Sequence, residues 1–182
     1  MNLRVFHLLA PVAAACVILA GCGKSAEKAT PPPPTAAASS PLDGFFGAVD
    51  ATGDVIPIPQ LRKDAQPGHG VVVEAKVMGA VEPFVENRAL FVVGDEGTLS
   101  SCDQIHGDAC RTPWDNCCDD PDALRVGTAT IQVVDEKGNV LRHGIKGVAG
   151  LRELSRVRVA GEVAPGSTEA ALVINASRIE VL

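Results

Sequence analysis

The segment from Cys102 to Cys118 is the feature of the sequence that most limits its possible folds. It holds four of the six cysteines and the single Trp, and with two preceding serines it reads SSCDQIHGDACRTPWDNCC. It interrupts a chain that otherwise alternates apolar and polar residues in short runs, which is the pattern of half-buried β-strands. The fold must therefore carry a compact Cys-rich insertion between the strands of a β-sheet domain.

Five short runs of alternating or β-branched residues predict strands: Val71–Met78, Arg88–Val93, Thr128–Val134, Ser155–Val163 and Ala170–Leu182. The segment Gly147–Leu154 is long enough for two helical turns, so the predicted order is three strands, a short helix and two strands. In the last run the apolar residues change from even-numbered to odd-numbered positions, which predicts a β-bulge near Ser177. The 18 Gly, 13 Pro and absence of Tyr suit short strands and turns rather than a helical bundle.

This order of elements is that of the OB-fold, a five-stranded, partly open barrel. The ending VRVAGEV…LVINASRIEVL resembles the last two strands of OB domains of the anticodon-binding-like type. Residues 67–182, with the insertion at 94–122, are also similar to OB-like domains of exported bacterial lipoproteins that carry a CxTPWDxCC motif. The resemblance implies an all-β, five-stranded OB-like barrel with one short helix and a Cys-rich loop insertion, and it brings no established activity. A small β-sandwich is the alternative architecture.

The start of the chain predicts export and anchoring. Arg4 precedes the apolar run Leu8–Ala20, which is too short to span a bilayer and fits a signal peptide at residues 1–21. The run ends in Leu-Ala-Gly-Cys22, which resembles the lipobox of bacterial lipoproteins. That resemblance implies cleavage before Cys22 and acylation of its thiol, which anchors the exported chain to the cell membrane. Because Gly23 rather than Asp follows, it implies the outer membrane in a cell that has two.

Two connecting segments precede the barrel. Residues 22–43 are rich in Pro, Ala and Ser, which predicts a disordered tether. Residues 44–66 contain two apolar runs, Phe45-Phe46 and Val55–Leu61, and Pro57 and Pro59 in the second run exclude a central strand. We expect this second segment to be an extended arm that packs on the barrel, with one helical turn at residues 60–65.

Four cysteines remain after signal removal and lipidation: Cys102, Cys110, Cys117 and Cys118. An even number of cysteines in an oxidising compartment predicts two disulfide bonds. A bond between the adjacent Cys117 and Cys118 is strained, so we expect each of them to pair with Cys102 or Cys110. In that interpretation the chain has no cofactor. The alternatives are a Zn or Cu(I) site that includes His106, or a redox-active Cys117-Cys118 pair.

The insertion is strongly acidic, with eight acidic residues against the single base Arg111: Asp95, Glu96, Asp103, Asp108, Asp115, Asp119, Asp120 and Asp122. The last four of these are alternative ligands for a hard cation such as Ca²⁺. Bases collect between residues 139 and 160 instead. Two of them, Arg156 and Arg158, are candidates with Phe84 and Trp114 to line a ligand groove. Ion pairing of these bases with the acidic insertion is the alternative. With disulfide bonds formed, Trp114 would be the small core of the insertion.

The sequence shows no recognisable catalytic set, since it lacks a nucleophile elbow with Ser-His-Asp, HExxH, a P-loop and a post-strand GxGxxG. We therefore expect no enzymatic activity. The net charge of −6 argues against binding to nucleic acid. The sequence predicts a noncatalytic binding or scaffold module at the cell envelope. Its predicted partners are the membrane, through the lipid on Cys22, and an envelope protein or polysaccharide. A metal-binding or thiol-redox lipoprotein is the alternative function.

Overall fold

The computed structural model describes residues 40–50, 53–64, 66–107 and 109–182. The predicted signal peptide, the lipidation site Cys22 and nearly all of the tether lie outside these residues, so they stay predictions. Within the described ranges, no helix combines the length and the apolar character that crossing a membrane requires.

Five strands of the described chain form a closed barrel: β1 (Gly70–Lys76), β2 (Leu90–Gly94), β3 (Thr128–Gln132), β4 (Arg156–Val163) and β5 (Val173–Val181). Around the barrel the strands follow the order β1-β2-β3-β5-β4, and β4 pairs with β1 to close it. The β3–β5 pair is parallel and the other pairs are antiparallel. The predicted all-β, five-stranded OB-like barrel is thus confirmed.

Strand alternation explains the barrel interior. One face of each strand carries apolar side chains that are fully buried, among them Val73, Phe91, Ile131, Val159 and Ile179. Successive side chains of a strand point to opposite faces, so a single alternating run places its whole apolar set inside. The core is therefore built largely from the apolar positions of these alternating runs.

The predicted bulge in the last strand is present. Ala160 of β4 pairs with Arg178 of β5, whereas the next residue, Gly161, pairs with Ala176, so Ser177 is the extra residue. The backbones approach closely at this point, because a Cβ atom on Gly161 would lie 2.2 Å from the Asn175 carbonyl oxygen. Glycine at position 161 allows the two strands to pair across the bulge.

The segment before β1 lies against the barrel. The Ile56 amide donates a hydrogen bond to the Val72 carbonyl, and Leu42 is fully buried. Helix α1 (Ile58–Asp64) follows, and it buries Ile58 and Leu61. This helix begins two residues earlier than the turn expected at residues 60–65.

Arg62 fixes α1 to the rest of the molecule. Its side chain is almost fully buried and donates to the carbonyl oxygens of Val126, Glu169 and Thr128. Burial lowers the pKa of Arg62, and the nearby charge of Arg125 lowers it further. Val126 and Thr128 are neighbours in the chain, whereas Glu169 lies about 40 residues later, so this one guanidinium joins α1 to two separate segments.

The prediction of a short helix at Gly147–Leu154 is wrong. Only a single 3₁₀ turn, Val148–Gly150, forms there. Ala149 and Leu154 have φ angles of 50° and 65°, and left-handed residues of this kind do not continue a right-handed helix.

A second helix, α2 (Pro121–Gly127), forms instead within the insertion, directly before β3. The Asp120 side chain caps it by accepting hydrogen bonds from the amides of Asp122 and Ala123, and Pro121 starts its first turn. The described chain thus has its second α-helix between β2 and β3, where none was predicted.

Candidate metal centre

The ends of the insertion are held together at Asp95. Its amide donates to the Gly127 carbonyl at 2.9 Å, which joins the end of β2 to the end of α2. Its carboxylate accepts hydrogen bonds from the Ile58 amide and from the Thr98 hydroxyl. Asp95 is only 8% exposed, so these bonds fix the base of the insertion to the barrel and to α1.

Two cysteine-bearing segments pair with each other inside the insertion. The amide of Cys102 donates to the Asp115 carbonyl, and the amide of Asp103 donates to the Pro113 carbonyl, both at 2.8 Å. A 3₁₀ turn, Cys102–Gln104, starts at the first of these residues. This backbone pairing brings Cys102 next to Cys117, which follows it by 15 residues.

The sulfur atoms converge on one side of the insertion. The Sγ atoms of Cys102 and Cys117 are 3.6 Å apart, and those of Cys117 and Cys118 are 4.0 Å apart. The donor atoms of these three residues all lie within 4.8 Å of one another. A second group with the same spacing contains Cys110, Asp115 and Cys117, so Cys117 belongs to both.

These separations match the spacing of thiolates around a zinc ion. A Zn–S bond of about 2.3 Å gives sulfur–sulfur edges of about 3.8 Å in a regular tetrahedron. The observed 3.6 Å and 4.0 Å lie on either side of that value. The adjacent Cys117 and Cys118 belong to one potential ligand group, although adjacent cysteines rarely share a tetrahedral ion. The arrangement can supply three thiolates to one ion, with Cys110 and Asp115 as further donors beside Cys117.

The predicted disulfide bonds are not formed in this structure. No S–S bond joins the four described cysteines, and the 3.6 Å between Cys102 and Cys117 far exceeds a bond of about 2.05 Å. The physical reason is that the two paired segments place several thiols around a common point rather than in two bonded pairs. The expectation of two disulfides is corrected to a cluster of thiols.

Local contacts shift the pKa values of two of these thiols in opposite directions. The hydrogen bond with the Thr112 hydroxyl, together with its backbone bond, lowers the pKa of Cys110. The hydrogen bond with Cys102 lowers the pKa of Cys117, but the hydrogen bond and charge of Cys118, burial and Cys110 together raise it by more. Thiols that lie close together resist ionisation because the resulting thiolates repel each other, and a bound cation would relieve this repulsion.

Two residues considered with the cysteines lie elsewhere. His106 is exposed and belongs to neither ligand group of the described residues. Trp114 is half-buried, its indole Nε1 donates to the Val81 carbonyl at 2.9 Å, and its own carbonyl accepts from the Gly79 amide. Trp114 therefore joins the insertion to the loop after β1. It does not cover a disulfide bond.

The acids suggested for a hard cation serve local structure. The Asp119 carboxylate accepts hydrogen bonds from the Ser100 amide and the Asn116 side chain, while Asp120 caps α2. The Asp122 carboxylate lies 3.6 Å from an Arg125 nitrogen. Among the described acids of the insertion, Asp115 alone joins a group with metal-binding spacing.

The basic residues of β4 are paired with acids. Arg156 donates to Glu96 of the insertion at 2.6 Å. Arg158 donates to Glu74 at 2.6 Å and lies 3.4 Å from a Glu180 oxygen, both on neighbouring strands. The charges of these two arginines are therefore largely balanced by neighbouring acids on the barrel surface.

Phe84, the remaining candidate for a groove, stacks on Phe91 with ring centroids 5.8 Å apart. The Lys146 ammonium lies 5.7 Å from the centre of the Phe84 ring. A hollow of about 370 Å³ adjoins this aromatic ring, and Trp114, Arg156 and Arg158 do not line it. The four groove candidates thus do not line a common hollow here.

Sequence reasoning missed Lys76, Ser101 and Asp103. Lys76 donates to the Ser101 hydroxyl at 2.8 Å and lies 3.3 Å from the nearer Asp103 oxygen, beside Cys102. No signal in the sequence could have indicated this contact. In the alternation of β1, Lys76 occupies a position that faces away from the core.

Comparison with protein-family models, curated proteins and solved structures gave no match for this chain. The function proposed below rests on the sequence and on the geometry of the barrel and its insertion.

Proposed function

We propose that this chain is a noncatalytic, membrane-anchored envelope module whose insertion binds one thiophilic metal ion through Cys102, Cys110, Cys117 and Cys118. The sulfur–sulfur distances of 3.6 Å and 4.0 Å carry the proposal, because they bracket the edge of a tetrahedral zinc–thiolate site. Zinc and copper(I) are the expected ions, since thiolate ligands select both.

Charge supports a cation at this position. The insertion contains eight acidic residues and one basic residue, and the cysteine cluster adds further groups that can become negative. Asp115 lies with Cys110 and Cys117 in one of the two ligand groups. Bringing several anionic groups together is unfavourable without a positive charge between them, and a divalent ion supplies it.

The barrel provides the scaffold in this proposal. The ends of the insertion meet at Asp95 and Gly127, and Trp114 ties its middle to the loop after β1. The lipid on Cys22 would hold the module at the membrane, facing the periplasm or the exterior. An envelope protein or a polysaccharide is the proposed partner of the barrel surface.

Zinc and cobalt binding to the full chain, purified under reducing conditions, tests the metal site. We expect one ion per chain and, with cobalt(II), the charge-transfer absorption of thiolate ligands. Cys117→Ser should weaken binding most, because Cys117 belongs to both ligand groups. His106→Gln is the matched control, since His106 is exposed and outside both groups, and it should bind like the unmodified chain.

Either of two results would overturn the proposal. The first is that the reduced chain takes up no zinc or cobalt at micromolar concentrations. The second is that Cys117→Ser binds these ions as tightly as the His106→Gln control does. A folded barrel in every variant, checked by circular dichroism, ensures that lost binding reports on the ligand and not on unfolding.

A further inference from the structure

Lys76 is buried in a place where its sequence position predicts exposure. It lies at the end of β1 between Ala75 and Val77, both of which face the core, so its own side chain points outward. Lys76 is nevertheless only 6% exposed. A lysine is almost never buried to this degree without a specific partner.

The partners of Lys76 flank one metal-ligand candidate on both sides. The ammonium donates to the Ser101 hydroxyl at 2.8 Å and to the Asp103 carboxylate at 3.3 Å and 3.4 Å. Ser101 is fully buried and its hydroxyl donates to the same Asp103 carboxylate. The residue between them is Cys102, which is itself 4% exposed.

This arrangement fixes the Cys102 backbone from two directions. Lys76 holds residues 101 and 103 from the barrel side. The amides of Cys102 and Asp103 donate to the carbonyls of Asp115 and Pro113 on the other side. Cys102 is thus a buried ligand candidate whose backbone is held on both sides, whereas Cys117 and Cys118 are exposed.

Lys76 also brings a positive charge into an acidic insertion. Its ion pair with Asp103 balances one of the acids beside Cys102, so that carboxylate adds no net charge next to the metal ligands. Groups that hold and orient metal ligands typically change affinity by about 10- to 100-fold when they are removed.

We infer that Lys76 is a positioning residue for the metal centre: through Ser101 and Asp103 it holds Cys102 in place, and so couples ion binding to strand β1. The inference rests on the proposed metal-binding function and extends it to a residue outside the cysteine cluster.

The test compares Lys76→Met with Arg156→Met in the reduced full chain. Arg156 is the matched control, since it pairs with Lys76 in strand register and also binds an acid of the insertion, Glu96. Both variants remove one positive charge from the same end of the barrel. Zinc affinity is measured by competition with a chromophoric chelator, and site geometry by the cobalt(II) absorption spectrum.

We expect Lys76→Met to weaken zinc binding by about 10- to 100-fold and to alter the cobalt spectrum, while Arg156→Met changes affinity by less than about threefold. Equal affinities of the two variants would overturn the inference and leave the metal site intact. Absence of binding to the unmodified chain would instead refute the proposed function.

Ser101→Ala keeps the test decisive if Lys76→Met does not fold. It removes the hydroxyl that accepts from Lys76 and leaves the lysine and Asp103 in place. We expect weaker zinc binding with a cobalt spectrum changed in the same direction. Unchanged affinity and spectrum in a folded Ser101→Ala chain would contradict the positioning role.

Discussion

Saturation with zinc should raise the midpoint of thermal unfolding of the whole barrel by about 9 °C. The insertion is held to the barrel at Asp95, Trp114 and Lys76, so we expect both to unfold together. Free zinc at 100 times its Kd stabilises the bound state by about 2.7 kcal/mol. The unfolding entropy is about 2.1 cal/mol/K per residue, or about 0.29 kcal/mol/K for the roughly 140 described residues. Dividing the stabilisation of about 2.7 kcal/mol by this entropy gives the shift of about 9 °C.

Differential scanning calorimetry of the reduced full chain measures this shift, with a chelator in one sample and buffered free zinc in the other. Cys117→Ser is the control and should show a much smaller change at the same zinc concentration. A shift below about 2 °C in a chain that has bound zinc would refute the reasoning. It would mean that the insertion unfolds independently of the barrel.

Three further predictions concern single residues. Arg62→Met should lower the free energy of unfolding by about 3 kcal/mol in urea titration, because charged donors contribute about 1.5–3 kcal/mol; a loss below 1 kcal/mol would contradict its linking role. Gly161→Ala should destabilise by about 2 kcal/mol through its contact with the Asn175 carbonyl, and an unchanged urea midpoint would argue against that contact. In metal-free, reduced protein at pH 8, iodoacetamide should modify Cys110 faster than the more exposed Cys117, because the pKa of Cys110 is lowered and that of Cys117 raised. Peptide mass mapping over time measures both rates, and faster modification of Cys117 would contradict this order.

The barrel could be predicted from the sequence because its signals are local. The alternation in the run that became β1 and the parity shift at Ser177 both depend on the two-residue repeat of a strand. Burying one face of each strand is compatible with a barrel or a sandwich, and the structure shows the closed barrel. The same reasoning failed at Gly147–Leu154, where length suggested a helix but Ala149 and Leu154 adopt left-handed conformations. Backbone angles of this kind have no clear signature in residues other than glycine.

The candidate site could be predicted only in part. The four cysteines stand out by count, but their arrangement depends on the pairing of Cys102 with Asp115, which no sequence period indicates. The alternation of apolar and polar residues in β1 predicts that Lys76 faces solvent, because such a pattern cannot show that an insertion will cover the residue. Contacts of this type join residues far apart in the chain, and they can be identified only from the folded structure.

The mass of the full chain, native and then denatured without reductant, tests the central proposal most directly. We expect the native mass to include one zinc or copper ion, and peptide mapping of the denatured chain to find Cys102, Cys110, Cys117 and Cys118 all reduced. A native mass without an ion, together with peptides that join these four cysteines in two pairs, would mean that they form two disulfide bonds. That result would contradict the metal centre.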